Sequence, residues 1–283
     1  MGGRDYIKGV LLLLLATFFW GITFPIQKIV LDMGFSPFVY NSLRFFIAAL
    51  IVLVLWGWGD FKYGATLGTI LAIAYMAQTW GLSLTTSSRS GFITALFVIF
   101  VPFFSYLIEK KKPTIYHVVA FATAMVGIYL LTHGDIGFGL GEFLTLICAI
   151  LFGLHVVLIT VFSQKRKEED LLFWQFFTVA MLNGALALMV GHSFHISIRA
   201  LRVATFAALT ATVYGIWAQL KYQKVVSSNT SALIFTMEPV FAYLSSFVLL
   251  HEVLTPLQWL GALLLLGSTV LVSVMQGKGT YEA

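Results

Sequence analysis

Charge is scarce in this chain. Of 283 residues, 17 are lysine or arginine and 12 are aspartate or glutamate, 10% together, against roughly a quarter in a soluble domain. With 59% hydrophobic residues and a mean hydropathy of +0.93, that scarcity excludes water as the main solvent and leaves lipid. Cysteine is nearly absent: Cys148 stands alone in an apolar run, which excludes an internal disulfide framework and a thiolate metal cluster. No Walker loop, no dinucleotide-binding glycine pattern and no His-Glu-x-x-His occurs, so no cofactor is implied and ATP is not the direct energy source. The net charge of +5 does not indicate nucleic acid, because the basic residues sit in short clusters between apolar runs rather than in an arm or stripe.

What is present is one apolar run after another. A helix needs about 20 apolar residues to cross roughly 30 Å of hydrocarbon. Breaks at charges, glycines and prolines leave ten such runs, at about 7–28, 36–57, 64–84, 88–108, 114–132, 139–163, 171–190, 200–221, 227–250 and 255–275. Arg4 and Lys8 ahead of Val10 to Ala16 imitate a signal peptide, but bulky Phe18, Phe19 and Trp20 follow where a cleavage site needs small residues. The first run therefore reads as an uncleaved helix.

The positive-inside bias tests the count independently. With a cytoplasmic N-terminus, the inner loops and ends carry Arg4, Lys8, Lys62, Lys110, Lys111, Lys112, Lys165, Arg166, Lys167, Lys221, Lys224 and Lys278, and the outer ones only Lys28, Arg89, Arg199 and Arg202. The expected fold is all-α and integral to the membrane: ten transmembrane helices, both termini cytoplasmic, in the cytoplasmic (inner) membrane.

The halves also resemble each other. Phe19-Trp20-Gly21 falls on Leu151-Phe152-Gly153 at a shift of 132, Tyr40-Asn41 on Trp174-Gln175 at 134, Tyr75 on Tyr214 at 139, and Gly127 on Gly267 at 140. Five is odd, so a second five-helix copy crosses in the opposite sense. Two inverted repeats, residues 1–133 and 134–283, are expected, an arrangement characteristic of alternating-access transporters with a site near the bilayer midplane. A relic of gene duplication in a channel or scaffold is the other reading.

Glu238 is the acid of interest, since the other eleven lie in loops or near helix ends. It sits about eleven residues into its run, roughly 16 Å along the helix, where a charge costs at least about 2.5 kcal/mol. Two readings stand side by side: a proton-coupling or substrate-amine site, or a partner for backbone groups freed by Pro239. Arg44, about eight residues into the second run, is either a carboxylate anchor or a structural link to carbonyls or lipid phosphate, within snorkelling distance of the outer surface. His155 reads as a pH sensor or a hydrogen-bonded packing residue. His192 and His195 lack a third ligand for a metal site.

Pro25, Pro102 and Pro239 are expected to interrupt helices 1, 4 and 9, as gating kinks or static bends. Trp20, Tyr75, Trp80, Tyr214 and Trp217, interleaved with Gln78 and Gln219, would suit a pocket that stacks apolar groups and hydrogen-bonds a polar head. With His155 and Glu238 they form the candidate substrate-binding set. Gly64 and Gly68 match a small-xxx-small helix contact.

These residues resemble the EamA-type transporters of the drug/metabolite transporter superfamily. The matching pieces are Phe19-Trp20-Gly21-Ile22-Thr23-Phe24-Pro25, Leu43-Arg44-Phe45, Gln78-Thr79-Trp80-Gly81-Leu82 with Thr85-Thr86-Ser87, Met237-Glu238-Pro239-Val240-Phe241, His251-Glu252 and Pro256-Leu257-Gln258-Trp259-Leu260-Gly261. Glu109-Lys110-Lys111-Lys112-Pro113 departs from the family's turn after helix 4. The resemblance implies two EamA repeats around a central cavity and export of small metabolites such as amino acids. The partners expected are a small-molecule substrate, the bilayer and protons. A nucleotide-sugar or lipid-linked carrier on the same fold would want a more basic cavity. A membrane-embedded enzyme would want clustered acids or histidines at one face; Glu168-Glu169-Asp170 after Lys165-Arg166-Lys167 reads as a solvated loop.

Overall fold

The computed structural model describes residues 3–131, 139–250 and 255–281. The proposed repeat boundary between 133 and 134, Asp135, the His251-Glu252 pair and Glu282 lie outside the described residues, as do the side chains of Arg89 and Lys278. Among the described residues the fold is helical throughout: α1 (Gly3–Asp32), α2 (Pro37–Trp56), α3 (Phe61–Leu84), α4 (Ser87–Ala95), α5 (Phe97–Phe104), α6 (Ile115–Leu131), α7 (Leu140–Ser163), α8 (Leu172–Met189), α9 (Ile198–Ala207), α10 (Gly215–Val226), α11 (Ser228–Phe235), α12 (Glu238–Leu250) and α13 (Pro256–Tyr281). A π-helical turn, Ser105–Glu109, ends α5, and another, Ala208–Tyr214, joins α9 to α10.

Among the described residues eight helical segments are long and apolar enough to cross a membrane, and Ile115–Leu130 is apolar but shorter. The α11–α12 segment is divided at Thr236-Met237. The outer faces of the bundle present apolar side chains such as Val54 (85% exposed), Leu188 (68%) and Val248 (68%). In water such a surface would drive aggregation; in hydrocarbon it is the solvated face, while the backbone is satisfied within each helix.

Local chemistry sets the ends. Ser36 accepts the Val39 N–H at 3.3 Å with Pro37 in the first turn of α2, Asp60 accepts the Tyr63 N–H at 3.1 Å to start α3, and Ser197 accepts the Ala200 N–H at 3.1 Å to start α9. Gly59, at φ +63, lies so close to the Asp170 carbonyl that a Cβ would collide with it. There the α2–α3 loop is stitched to the α7–α8 loop, by Asp60 N–H to the Asp170 carbonyl (2.7 Å) and by Arg166 Nε to Asp60 Oδ2 (2.7 Å).

The Arg166 hydrogen bond first, and the Tyr63 N–H second, hold the Asp60 carboxyl below its ordinary range. A depressed acid contributes stability above its unfolded pKa, near 3.9, and loses it as pH falls through the folded value. Asp60→Asn, which keeps the cap, is expected to cost less than about 1 kcal/mol at pH 7, as for an exposed pair. The difference from wild type should begin to shrink near about pH 4 and vanish as pH falls through the lower folded value, read as thermal midpoints in detergent.

The helix breaks fall differently from expectation. α1 runs through Pro25 without a break, since losing one ladder hydrogen bond to a proline is tolerated where neighbouring helices hold the chain. Pro102 lies inside α5, and the discontinuity in the fourth segment comes earlier, at Leu96, where Leu96 and Ile99 take tight i−3 hydrogen bonds. The ninth segment breaks at Thr236-Met237, before Pro239, again with i−3 bonds. Leu96 and Met237 stand 141 positions apart.

Two close helix crossings sit beside these breaks. A Cβ on Gly21 of α1 would meet the Glu238 carbonyl oxygen and Phe241 Cβ, both at 2.7 Å, and a Cβ on Gly153 of α7 would meet Phe100 Cβ at 2.8 Å and the Phe97 carbonyl oxygen at 3.3 Å. Glycine lets α1 lie directly on α12, and α7 on α5. Gly64 and Gly68 do the same for α3 against Trp174, Gln175 and Thr178 of α8.

Candidate functional site

Between these crossings lies a cavity whose empty space, counting its open part, is about 630 Å³. Each wall is one face of a helix. α1 contributes Trp20, Thr23, Phe24 and Gln27, spaced i, i+3, i+4, i+7; α3 contributes Leu71, Tyr75 and Gln78; α7 contributes Phe152, His155 and Val156. Arg44 comes from α2, Phe97 from the start of α5, Ile216 and Gln219 from α10, Phe235 from α11 and Glu238 from α12.

The aromatic walls are mutually braced. Trp20 stands edge-on to Phe235 at 5.0 Å, and Tyr75 meets Phe45 at 4.9 Å and Phe152 at 5.4 Å. The Trp20 Nε1–H is spent on the Ala211 carbonyl of the second π-helical turn (2.7 Å). Such contacts fix ring orientation and leave an apolar face toward the cavity.

The polar groups are anchored from behind. Gln27 donates to Thr79 Oγ1 (3.4 Å), which donates to Asn41 Oδ1 (3.1 Å), and Asn41 donates to Asn183 Oδ1 (3.1 Å), so the chain reaches α8. Gln78 donates to Thr94 Oγ1 (3.5 Å). His155 Nε2 accepts from the Gln175 amide N–H at 3.1 Å, and among the described residues the Gln175 amide oxygen is buried without a hydrogen-bond partner. Gln219 donates to Gln223 (2.9 Å), and Gln223 donates to the Val156 carbonyl and to Thr160 Oγ1 (2.6 Å), closing that end of the cavity.

Arg44 and Glu238 are the charged members of the lining. Arg44 is 2% exposed, so it does not snorkel to the surface; its Nε–H is held by Thr212 Oγ1 at 2.7 Å and its guanidinium lies 5.1 Å from the Tyr75 ring and 5.2 Å from the Phe45 ring. Among the described residues no hydrogen bond or ion pair engages the Glu238 carboxyl, which is buried facing the same cavity as Arg44.

The structure thus brings together Trp20, Tyr75, Gln78, His155, Glu238 and Arg44, and places three other candidates elsewhere. Trp80 is 40% exposed and edge-on to Phe38, because two residues beyond Gln78 is roughly 200° around the helix. Tyr214 turns its hydroxyl to the Leu12 carbonyl (3.2 Å), and Trp217 carries Lys221 Nζ 4.8 Å above its ring. Pro25, Pro102 and Pro239 do not line the cavity. His192 pairs with Ser36 Oγ (2.7 Å) and stacks on Phe38. Thr23, Phe24 and Gln27 were not singled out from the sequence, although their spacing from Trp20 is a readable helical face.

At the end of the bundle beyond Gln223, charged groups are tied across loops. Lys224 and Lys221 lie 3.2 and 3.6 Å from Glu168. Burial opposes ionisation of Glu168, but a backbone hydrogen bond and these two lysines hold its carboxyl below the ordinary range. Ser228 Oγ donates to Glu109 Oε2 (2.7 Å) and accepts from the Thr160 hydroxyl (2.8 Å).

A multi-pass helical bundle with an amphipathic cavity at its centre defines a membrane transporter of small molecules. A profile of the EamA-like transporter family matches residues 7–133 and 139–274. An uncharacterized transporter of Archaeoglobus fulgidus is 37% identical over 277 residues, covering 96% of this chain and 89% of that protein. The uncharacterized transporter YoaV of Bacillus subtilis is 24% identical over 92% of this chain and 94% of its own length. A crystal structure covering 95% of this chain and 97% of its own superposes with a TM-score of 0.79 at 13% identity, a likeness of fold. The chain belongs to the EamA-like transporter family, within the drug/metabolite transporter superfamily.

Proposed function

We propose that this protein is a secondary active exporter of small metabolites, amino acids or related compounds, working by alternating access in the cytoplasmic membrane. The observation that carries this is the cavity itself: a braced aromatic box with anchored amides and two opposed charged groups, Arg44 on α2 and Glu238 on α12. An amphipathic zwitterion suits that lining in size and polarity. One guanidinium in the lining does not favour a nucleotide-sugar or lipid-linked carrier.

We further propose ten transmembrane helices in two inverted repeats, 1–133 and 134–283, with both termini cytoplasmic. The paired breaks at Leu96 and Met237 and the paired crossings at Gly21 and Gly153 support this, since an exchange of halves carries one onto the other. So does loop contact: the loops at Asp60, Glu109, Arg166, Glu168 and Lys224 are linked at one end, while Ser36 meets His192 and Met33 meets Arg199 at the other. Rocking one half against the other would open the cavity alternately to each end.

Counterflow tests the reading. Liposomes holding the protein and a high internal concentration of an unlabelled amino acid are given a trace of the labelled compound outside. Transient, saturable accumulation is expected for a subset of amino acids. Silence across amino acids, sugars, purines and drug-like cations overturns it, and flux that never saturates indicates a channel.

A further inference from the structure

Thr212 sits in the π-helical turn Ala208–Tyr214, and its hydroxyl is used twice. It donates to the Ala207 carbonyl, five residues back, at 3.0 Å, and accepts the Arg44 Nε–H at 2.7 Å. The same turn frees the Ala211 carbonyl for Trp20 Nε1–H, and Gly215 leaves room for the indole, since a Cβ there would come within 2.5 Å of Trp20 Nε1. Widened helical turns of this kind recur at functional sites because they release backbone groups and redirect side chains. Here one turn orients both a guanidinium and an indole of the cavity.

The partner of Arg44 is a neutral oxygen. A hydroxyl satisfies one N–H and fixes the plane of the fork without cancelling its charge, and the neighbouring rings of Tyr75 and Phe45 add contacts that are likewise neutral. Among the described residues Arg44 is engaged by the Thr212 hydroxyl and by a side-chain hydrogen bond with Tyr75, both neutral, and no carboxylate lies within 4 Å of it. A buried guanidinium held by two neutral hydroxyls at the wall of a cavity keeps its charge and has N–H donors to spare, a socket for a planar two-oxygen acceptor. A carboxylate matches it in charge; a phosphate monoester would bring a second negative charge toward Glu238 with nothing to balance it.

We infer that Thr212 is a positioning residue which, by holding Arg44 Nε, aims the guanidinium into the cavity and makes the site select cargo bearing a carboxylate. The inference rests on the proposed transport reading only for which cavity the cargo occupies.

The test uses the full chain purified in detergent, with phenylacetate as the probe and phenethylamine as its counterpart lacking the carboxylate. Binding is read as ligand-dependent stabilisation. Wild type should bind phenylacetate, and Thr212→Val should weaken that binding roughly ten-fold, as expected for losing a hydrogen bond to a charged group. The response to phenethylamine should stay as in wild type, while the unliganded melting temperature falls because the buried Arg44 Nε–H loses its acceptor. Thr212→Ser should restore the affinity, and Thr212→Ala is a second hydroxyl-free variant should valine crowd the turn. Equal phenylacetate binding in wild type, Val and Ala overturns the inference, as does no binding in wild type, or parallel loss of both probes. If these binding results hold while counterflow is silent for every amino acid, the transport reading fails and the positioning role stands.

Discussion

Replacing Glu238 by glutamine is expected to abolish the pH dependence of export and to cut net transport by on the order of ten-fold or more, with the protein still folded. Glutamine keeps the shape and the hydrogen-bonding capacity of the side chain but neither binds nor releases a proton. The carboxyl lines the cavity without a hydrogen bond or ion pair among the described residues, so no packing interaction of its side chain is lost with the charge. Intramembrane acids are costly and mark ion or substrate pathways. In the amide variant Arg44 becomes the sole charged lining residue. A carboxylate cargo would then meet a socket with no opposing acid and leave it slowly, so KM should fall together with kcat. Reconstituted vesicles separate the steps: counterflow, which needs only exchange, should survive in part, while accumulation driven by an imposed pH gradient should not. A Glu238→Gln protein with wild-type pH dependence would refute the coupling role.

The depth of Glu238 and Arg44 was legible in the sequence because depth depends on counting from a helix end. Their direction was not. Snorkelling of Arg44 was a fair expectation from distance alone, but the side chain turns inward to a hydroxyl on the turn between α9 and α10, a partner 168 positions away. The aromatic candidates show the same limit. In a soluble helix the apolar stripe tells which face is buried; in lipid every face is apolar, so the contrast that would have separated Gln78 from Trp80 is missing. Where a polar residue interrupts the run at helical spacing, the face can be read, as at Trp20, Thr23, Phe24 and Gln27. Trp217 was harder, because the π-helical turn before α10 shifts the register that a count from helical periodicity assumes. Pro239 announced the break in the ninth segment, whereas Leu96 breaks the fourth with no proline or glycine at the break itself.

Gly21→Ala should be the most damaging of three alanine substitutions, at Gly21, Gly153 and Gly267. Its Cβ would lie 2.7 Å from the Glu238 carbonyl oxygen and 2.9 Å from the Ala242 nitrogen, both backbone atoms, so no side chain can swing aside. The helix α1 must instead lift off α12, an overpacking cost of about 1–3 kcal/mol that exceeds the roughly 1 kcal/mol alanine gains over glycine in a helix. The lift separates Trp20 from Glu238 at the centre of the cavity, so transport should fall further than stability does. Gly21→Leu should fail to assemble. Two other glycines make the argument specific. Gly153→Ala meets the Phe100 side chain at 2.8 Å but backbone only at 3.3 Å, so a smaller loss is expected; Gly267→Ala meets nothing within 4 Å and should be neutral or stabilising by up to about 1 kcal/mol. Thermal midpoints in detergent and counterflow, taken on the three alanine variants together, check the order. A Gly21→Ala protein as stable and active as Gly267→Ala would mean that α1 and α12 do not pack this closely in the working transporter.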